Sequence, residues 1–259
     1  MNSYERILFE QSAESGIARI TLNRPEKRNA IDGLLIAELK TAFEAARDSR
    51  AVVLTGAGKD FCSGADLSGL QKVRENGVIE NMDDARQMAD LFRAMRRHPR
   101  PIVAVVKGNA LAGGCGLATA CDIVLAAESA NFGYPEVNIG FVPAMVMAIL
   151  RRSVSEKRAF ELIAMGEVLG AFAAREAGLV NHVFPDEMAD EEAEAYVARL
   201  AAKSMSALAL CKSLLYNIDG VSFDTALEAG VQMNSIARMT PDCRTGIDRF
   251  LNKPRANGN

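Results

Sequence analysis

From Pro101 to Leu117 the chain reads PIVAVVKGNALAGGCGL: an apolar run, a turn poor in side chains, then small residues suited to a helix. A run this apolar is buried on both faces if it is a strand, and a helix starting at the glycines would turn its first, unpaired N–H groups toward whatever lies above the turn. Such a turn suits an anion, or an oxygen that gains charge during a reaction. The same glycines would equally serve a plain connection in which helix and sheet approach closely. The stretch alone leaves both readings open.

The rest of the chain repeats this pattern in outline. Ile7–Glu10 and Ile17–Leu22, separated by the turn-like Ser15-Gly16, read as a hairpin, and a polar loop from Asn23 to Asn29 leads into an amphipathic helix over Gly33–Arg47. Ala51–Thr55 reads as another buried strand, stopped by Gly56-Ala57-Gly58. Phe61–Leu67 is short and turn-rich, and the aperiodic segment Ser68–Asn81 is expected to be a mobile loop of the kind that shapes pockets. A helix over Asp83–Arg97 carries Met88, Leu91, Phe92 and Met95 on one face. After the glycine helix come a strand at Ile123–Ala127, the strand-like stretch Phe132–Val137, helices over Ala144–Arg151, Glu156–Met165 and Ala171–Ala177, and a strand at Gly178–Phe184. Helices over Asp190–Ser204, Ala207–Tyr216 and Thr225–Ala237 lead to a polar tail. Alternating strand, turn and helix predict an α/β fold.

Composition removes several classes of function. A formal net charge of −3 with 24% charged residues provides no general field for nucleic acid or an anionic membrane. The cluster Arg93, Arg96, Arg97, His98, Arg100 and Lys107 is read as a solvated helix face rather than an RNA-binding patch. Cys62, Cys115, Cys121, Cys211 and Cys243 lack CxxC spacing, and only His98 and His182 accompany them, which argues against a metal centre or disulfide framework. The first residues lack a charged-then-apolar leader, and no apolar run reaches the ~20 residues of a membrane span. The expectation is a cytoplasmic protein acting on small molecules, without metal or separate cofactor.

Three stretches, in this order and spacing, resemble the crotonase, or enoyl-CoA hydratase/isomerase, superfamily: Phe61–Leu67 (FCSGADL), Val105–Ile123 (VVKGNALAGGCGLATACDI) and Phe132–Val142 (FGYPEVNIGFV). Arg24–Asp32 (RPEKRNAID) and Ala177–Val183 (AGLVNHV) support them, so the resemblance spans roughly residues 7 to 185. It implies a crotonase-like spiral of ββα turns over residues 1–200 with an acyl-CoA site, and a C-terminal helical region over 201–259 that assembles a homo-trimer or dimer of trimers. It also implies that the backbone N–H groups of Ala65 and Gly113 hold the thioester oxygen as enolate charge builds on it. Preorganised donors of this kind need no reorientation during reaction. Further contacts to the substrate, of which coenzyme A is a part, fall by resemblance at Lys27, Arg28, Ala30, Cys62, Ser63, Gly64, Asp66, Leu67, Gly114, Gly116, Tyr134 and Ala144. Lys27 and Arg28 would meet the phosphates and the Phe61–Ala65 backbone the adenine. Phe250 and Lys253 resemble a C-terminal pair that reaches CoA from a neighbouring subunit, although the tail NKPR departs from the usual KRxPxF.

A second departure bears on the chemistry. Hydratases of this superfamily use two glutamates, and the matching positions here are Gly116 and Glu136. Glycine cannot hold a water by its side chain, whereas Glu136 alone can carry a proton between C2 and C4, the route attributed to the single-glutamate Δ3,Δ2-enoyl-CoA isomerases. The pattern leans to double-bond isomerisation; hydration, thioester hydrolysis and an inactive CoA-binding protein are the alternatives. Asp66, Glu75 or Glu80 could replace the missing acid. Tyr134 shares the side of Glu136 if the stretch is a strand, and would line the pocket, donate a hydrogen bond or pack in the core. Asp122 is expected to satisfy backbone groups behind the site, and Cys115 has no neighbouring histidine to make it a nucleophile. The superfamily's usual PGAGG is replaced by Pro143-Ala144-Met145-Val146-Met147. Ala144 would still offer its N–H, while methionine bulk in the pocket wall would favour a short or unusually shaped acyl group.

Overall fold

In the computed structural model, which describes residues 4–66, 69, 71, 73 and 75–252, the apolar runs form strands interleaved with helices. In chain order the elements are β1 (Ile7–Gln11), β2 (Ile17–Leu22), α1 (Gly33–Ala45), β3 (Ala51–Gly56), α2 (Val78–Arg97), β4 (Ile102–Val106), β5 (Asn109–Leu111), α3 (Gly113–Ala120), β6 (Ile123–Ala127), β7 (Asn131–Gly133), α4 (Ala144–Ser153), α5 (Glu156–Met165), β8 (Val168–Gly170), α6 (Ala171–Ala177), β9 (His182–Phe184), α7 (Ala189–Ala201), α8 (Met205–Asn217), α9 (Phe223–Met239) and α10 (Pro241–Leu251).

One sheet has the order β1-β2-β3-β4-β6-β9, antiparallel only between β1 and β2. A second layer is made of short pieces. β5 pairs in parallel with β7, β7 pairs with β8, and isolated bridges join Cys62 to Ala110 and Ile31 to Ala65. Thus β2 leads to Ile31, β3 to Cys62–Ala65, β4 to β5 and β6 to β7, and each pair then passes into a helix. These are the ββα turns of a spiral, and the parallel order β2-β3-β4-β6 is their stack.

Strand parity builds two cores. Val52, Leu54, Ile102, Ala104, Val106 and Val124 face the main core with Leu35, Leu39, Phe43 and Met95, whereas Val53, Val103, Val105 and Leu125 face Ala193, Val197 and Ala201 of α7. Strands buried on both faces have no polar side, hence their continuous apolar runs.

Several boundaries differ from expectation. α2 begins at Val78, inside the segment expected to be a loop, and Gly69, Gln71, Val73 and Glu75 are helical too. The polar character there reflects exposure, not irregular backbone. Only His182–Phe184 of the final strand is paired; Leu179 and Val180 are buried in the main core instead. The polar tail is preceded by α10, whose start is set by Pro241 and by Thr240, which caps the Cys243 N–H. Arg93 pairs with Asp90, Lys107 with Asp190 and Arg96 with Asp219, while His98 is buried against the Phe43 carbonyl, so the basic cluster is largely neutralised within the chain. Among the described residues, no helix is long and apolar enough to cross a membrane.

Candidate active site

The turn after β4 is built to hold two backbone segments together. Asp60 Oδ1 accepts from the Asn109 N–H (3.0 Å) and from Asn109 Nδ2 (2.6 Å). Cys62 N–H donates to the Asn109 carbonyl (3.0 Å) and Leu111 N–H to the Cys62 carbonyl (2.9 Å), so residues 60–62 are zipped onto β5. Gly64, at φ +93, then reverses which way the backbone groups face. Its carbonyl accepts from Ile31 N–H (2.8 Å) and Asp66 N–H donates to the Ile31 carbonyl (2.9 Å), so in this parallel bridge the Ala65 N–H faces away from Ile31. Gly113 is close to this loop: a Cβ added to Gly64 would lie 2.8 Å from Ala112 Cβ and 3.6 Å from the Gly113 nitrogen.

Gly113 opens α3, where the first N–H groups have no partner within the helix. Ala112 before it has φ +50 and ψ −126, torsions that cost a residue with a Cβ about 1–3 kcal/mol. They are held by Ala112 N–H donating to the Gly133 carbonyl (2.8 Å) and Gly116 N–H donating to the Ala112 carbonyl (3.0 Å). Gly114 can only be glycine, since a Cβ there would run into the Cys62 carbonyl. Among the described residues, neither Ala65 N–H nor Gly113 N–H meets an acceptor. Two free amides beside a helix N-terminus can hold an oxygen that becomes negative.

The walls around this turn are apolar. A Cβ at Gly113 would lie 3.3 Å from Ile31 Cδ1 and 3.9 Å from Met88 Cε, and one at Gly116 would lie 2.6 Å from Val146 Cγ2 and 3.3 Å from Phe92 Cζ. All four of these side chains are buried. Val146, on the first turn of α4, therefore fills the volume that any side chain at position 116 would need.

Glu136 lies in the short 3-10 helix Pro135–Ile139 and is half-buried. Its Oε2 is buried without a hydrogen-bond partner among the described residues. Burial raises its pKa above the ordinary glutamate value, opposed only by its own backbone N–H. The carboxylate is near enough to Cys115, in the first turn of α3, to push that thiol's titration upward.

A family model described as Enoyl-CoA hydratase/isomerase matches residues 12–257. The chain belongs to the enoyl-CoA hydratase/isomerase family. A Thermus thermophilus protein bearing an enoyl-CoA hydratase name is 40% identical over 246 residues, covering 94% of this chain and 97% of that protein. The 2,3-dehydroadipyl-CoA hydratase of Escherichia coli is 34% identical over 246 residues, covering 93% and 94%. The crystal structure of a Mycobacterium smegmatis enoyl-CoA hydratase superposes with a TM-score of 0.91 at 32% identity, covering 97% of this chain and 98% of that one.

Against this family frame, the expected site residues separate into groups. Ala65, Gly113, Gly114, Gly116 and Gly64 meet at the turn, as above. Lys27 and Arg28 are exposed, on a loop held to residues 57–63 by Asn29 Nδ2 donating to the Ala57 and Asp60 carbonyls and by Ser63 N–H donating to the Arg28 carbonyl. The N–H groups of Cys62 and Ser63 are thereby spent inside the protein, and Ala30 is buried with its carbonyl bonded to Arg24. Asp66 is ion-paired with Arg24 Nη2 at 2.8 Å, Glu75 and Glu80 are exposed, and the atoms nearest a Cβ at 116 belong to Val146 and Phe92. Burial pushes the Cys62 thiol up to about 12 and the Cys115 thiol up to about 11, which keeps both protonated at neutral pH and removes Cys115 as a nucleophile.

One expectation is resolved and one needs correction. Of the readings of Tyr134, core packing and a hydrogen bond are the ones observed: it is buried just after β7, its hydroxyl is 2.9 Å from Thr119 Oγ1, and its titration is pushed upward by burial and, among other groups, by the Glu136 carboxylate. Ala144 N–H is engaged by the Val142 carbonyl (2.7 Å) and is not free for a ligand. In the PAMVM segment Val146 is buried and Met145 packs against the main core, whereas Met147 is exposed. Phe250 is exposed on α10, while Leu67 and Lys253 lie outside the described residues. Met88 and Phe92 lie on the core face of α2, and their four-residue spacing lets both side chains reach the glycine turn.

Proposed function

We propose that this chain is an enoyl-CoA isomerase working with one acid/base, Glu136, and an oxyanion site formed by the Ala65 and Gly113 N–H groups. The observation that carries the reading is the volume beside Gly116: it is taken up by Val146, while Glu136, close enough to act on Cys115 of α3, has an Oε2 without a partner among the described residues. With the thioester oxygen held by the two amides, Glu136 takes a proton from C2 of a 3-enoyl-CoA, and the electron pair moves onto that oxygen. The same proton is returned at C4. The C2–H bond and the C3=C4 double bond are lost, C2=C3 and C4–H are gained, and no water is consumed. A base that must next act as an acid benefits from a pKa nearer neutrality, the direction in which burial moves Glu136.

Exposed Lys27 and Arg28 beside the Ala65 loop suit the CoA phosphates. The C-terminal region 201–259 exposes Phe223, Val231, Ile236 and Phe250, apolar surface that suits assembly as a homo-trimer or dimer of trimers in the cytoplasm.

Hydration is the second reading, favoured by the hydratase names of the relatives. A 3-enoyl-CoA and crotonyl-CoA assayed side by side separate the two: isomerisation is expected to be the faster by about tenfold or more, a difference of ~1.4 kcal/mol in barrier. Clear hydration with little 3-enoyl turnover would overturn the proposal, release of free CoA would point to hydrolysis, and affinity without turnover to a binding protein. Because the base form of Glu136 is required, kcat/KM for the 3-enoyl substrate should fall about tenfold per pH unit below an apparent pKa higher than the ~4.3 of free glutamate.

A further inference from the structure

We propose that Val146 is the specificity-determining residue that closes the site to water and so selects proton transfer over hydration. The inference rests on the reading that Glu136 moves protons on an enoyl-CoA. A Cβ at Gly116 would be 2.6 Å from Val146 Cγ2, far inside the ~3.5–4.0 Å of a carbon–carbon contact. Val146 cannot readily swing away. A β-branched side chain in a helix is held to essentially one rotamer, and α4 is anchored in the main core by Val146 itself and Leu150. Phe92 Cζ is 3.3 Å from the same Cβ position. Positions 116 and 146 are therefore sterically exclusive: one of them can carry a branched or longer side chain, not both.

The consequence for water follows from what lines the gap. An ordered water needs two to four polar partners. Val146 and Phe92 offer none, and Gly116 contributes no side chain. Hydration across C2=C3 requires a water oxygen held for attack on C3, with its proton passed to a carboxylate and a proton added at C2. The isopropyl group of Val146 occupies the space from which a second carboxyl at 116 would hold that water. Isomerisation needs no such position.

The test reads two rates, isomerisation of a 3-enoyl-CoA and hydration of crotonyl-CoA, in wild type, V146A, V146T, G116E and G116E/V146A. Removing both γ-methyls in V146A should raise the ratio of hydration to isomerisation about tenfold, ~1.4 kcal/mol in relative barrier. V146T, equal in shape with one hydroxyl, should raise it in the same direction without opening space. G116E should lose both activities and melt lower, because Val146 blocks the new side chain; G116E/V146A should recover the melting temperature and hydrate crotonyl-CoA faster than V146A does. Acetyl-CoA affinity within about twofold of wild type shows that the variants keep the site. If V146A and V146T leave the ratio unchanged while wild-type isomerisation persists, the role given to Val146 is wrong and the isomerase reading stands. If wild type hydrates faster than it isomerises, both fall. G116E melting with wild type would overturn the steric exclusion independently of any activity.

Discussion

Replacing Glu136 with glutamine is expected to lower kcat on a 3-enoyl-CoA by about 10³-fold, within the 10²–10⁴ that a positioned acid/base contributes. The amide keeps the shape of the side chain and loses only the ability to take up a proton, so acetyl-CoA affinity should stay within about twofold. Stability gives an independent reading. Burial raises the pKa of Glu136, so the fold favours its protonated form, and ionisation of Glu136 costs stability as pH rises above the value for free glutamate. Glu136→Gln removes that cost. The variant should melt no lower than wild type at any pH, slightly higher near pH 8, and equal to it near pH 4 where both side chains are neutral. Calorimetry across that range and single-turnover kinetics check the two halves together. A variant that melts normally, binds acetyl-CoA and retains full turnover would show that the proton moves through another group.

The elements legible in the sequence were those whose residues serve one purpose. β3, β4 and β6 are buried on both faces, and their apolar runs state that directly. The glycine turn was legible because Gly64 and Gly114 each sit where a side chain would collide with backbone or with Ala112 Cβ. The spiral itself was implied by resemblance and not by periodicity: its second layer consists of three-residue strands and the single-residue bridges at Ile31, Cys62, Ala65 and Ala110, too short to leave an alternating pattern. Tyr134 and Glu136 are near each other, but not through strand alternation, because β7 stops at Gly133 and a Pro-initiated 3-10 helix changes the period between them. Val146 stands in the segment that replaces PGAGG, yet its relation to position 116 was not legible there. Its meaning depends on Gly116, thirty positions away, and a pair of that kind becomes readable only when the chain is folded.

Lys212→Met should cost about 3–5 kcal/mol of stability, the usual consequence of leaving one member of a buried ion pair alone. The pair joins the C-terminal helices to the strand-turn-helix unit that holds the glycine turn. Asp122 lies just after α3, and its Oδ2 accepts from the N–H of Ile102, the first residue of β4, at 2.7 Å; it thereby closes the strand-turn-helix unit at the end opposite Gly113. Lys212 of α8 donates to the same Oδ2 at 2.7 Å and to the carbonyls of Met95 (3.1 Å) and Arg100 (3.0 Å), which uses all three ammonium protons. Tyr216, one turn further along α8, donates to Asp122 Oδ1 at 2.6 Å beneath the Arg96 guanidinium, 4.0 Å from its ring centre. Both charged side chains are largely withdrawn from solvent, with exposures of 8% and 14%, so water cannot replace the lost partner. Methionine keeps the bulk of the stem and removes the charge together with its three hydrogen bonds. In the Lys212→Met/Asp122→Asn double variant, the asparagine oxygen can still accept from Ile102 N–H while the orphaned charge is gone, so at least half of the lost stability should return. Denaturant unfolding of the four members of this cycle measures the coupling directly. Additive losses, or a single Lys212→Met variant within about 1 kcal/mol of wild type, would mean that apolar packing and not this charge pair docks α8 onto the turn.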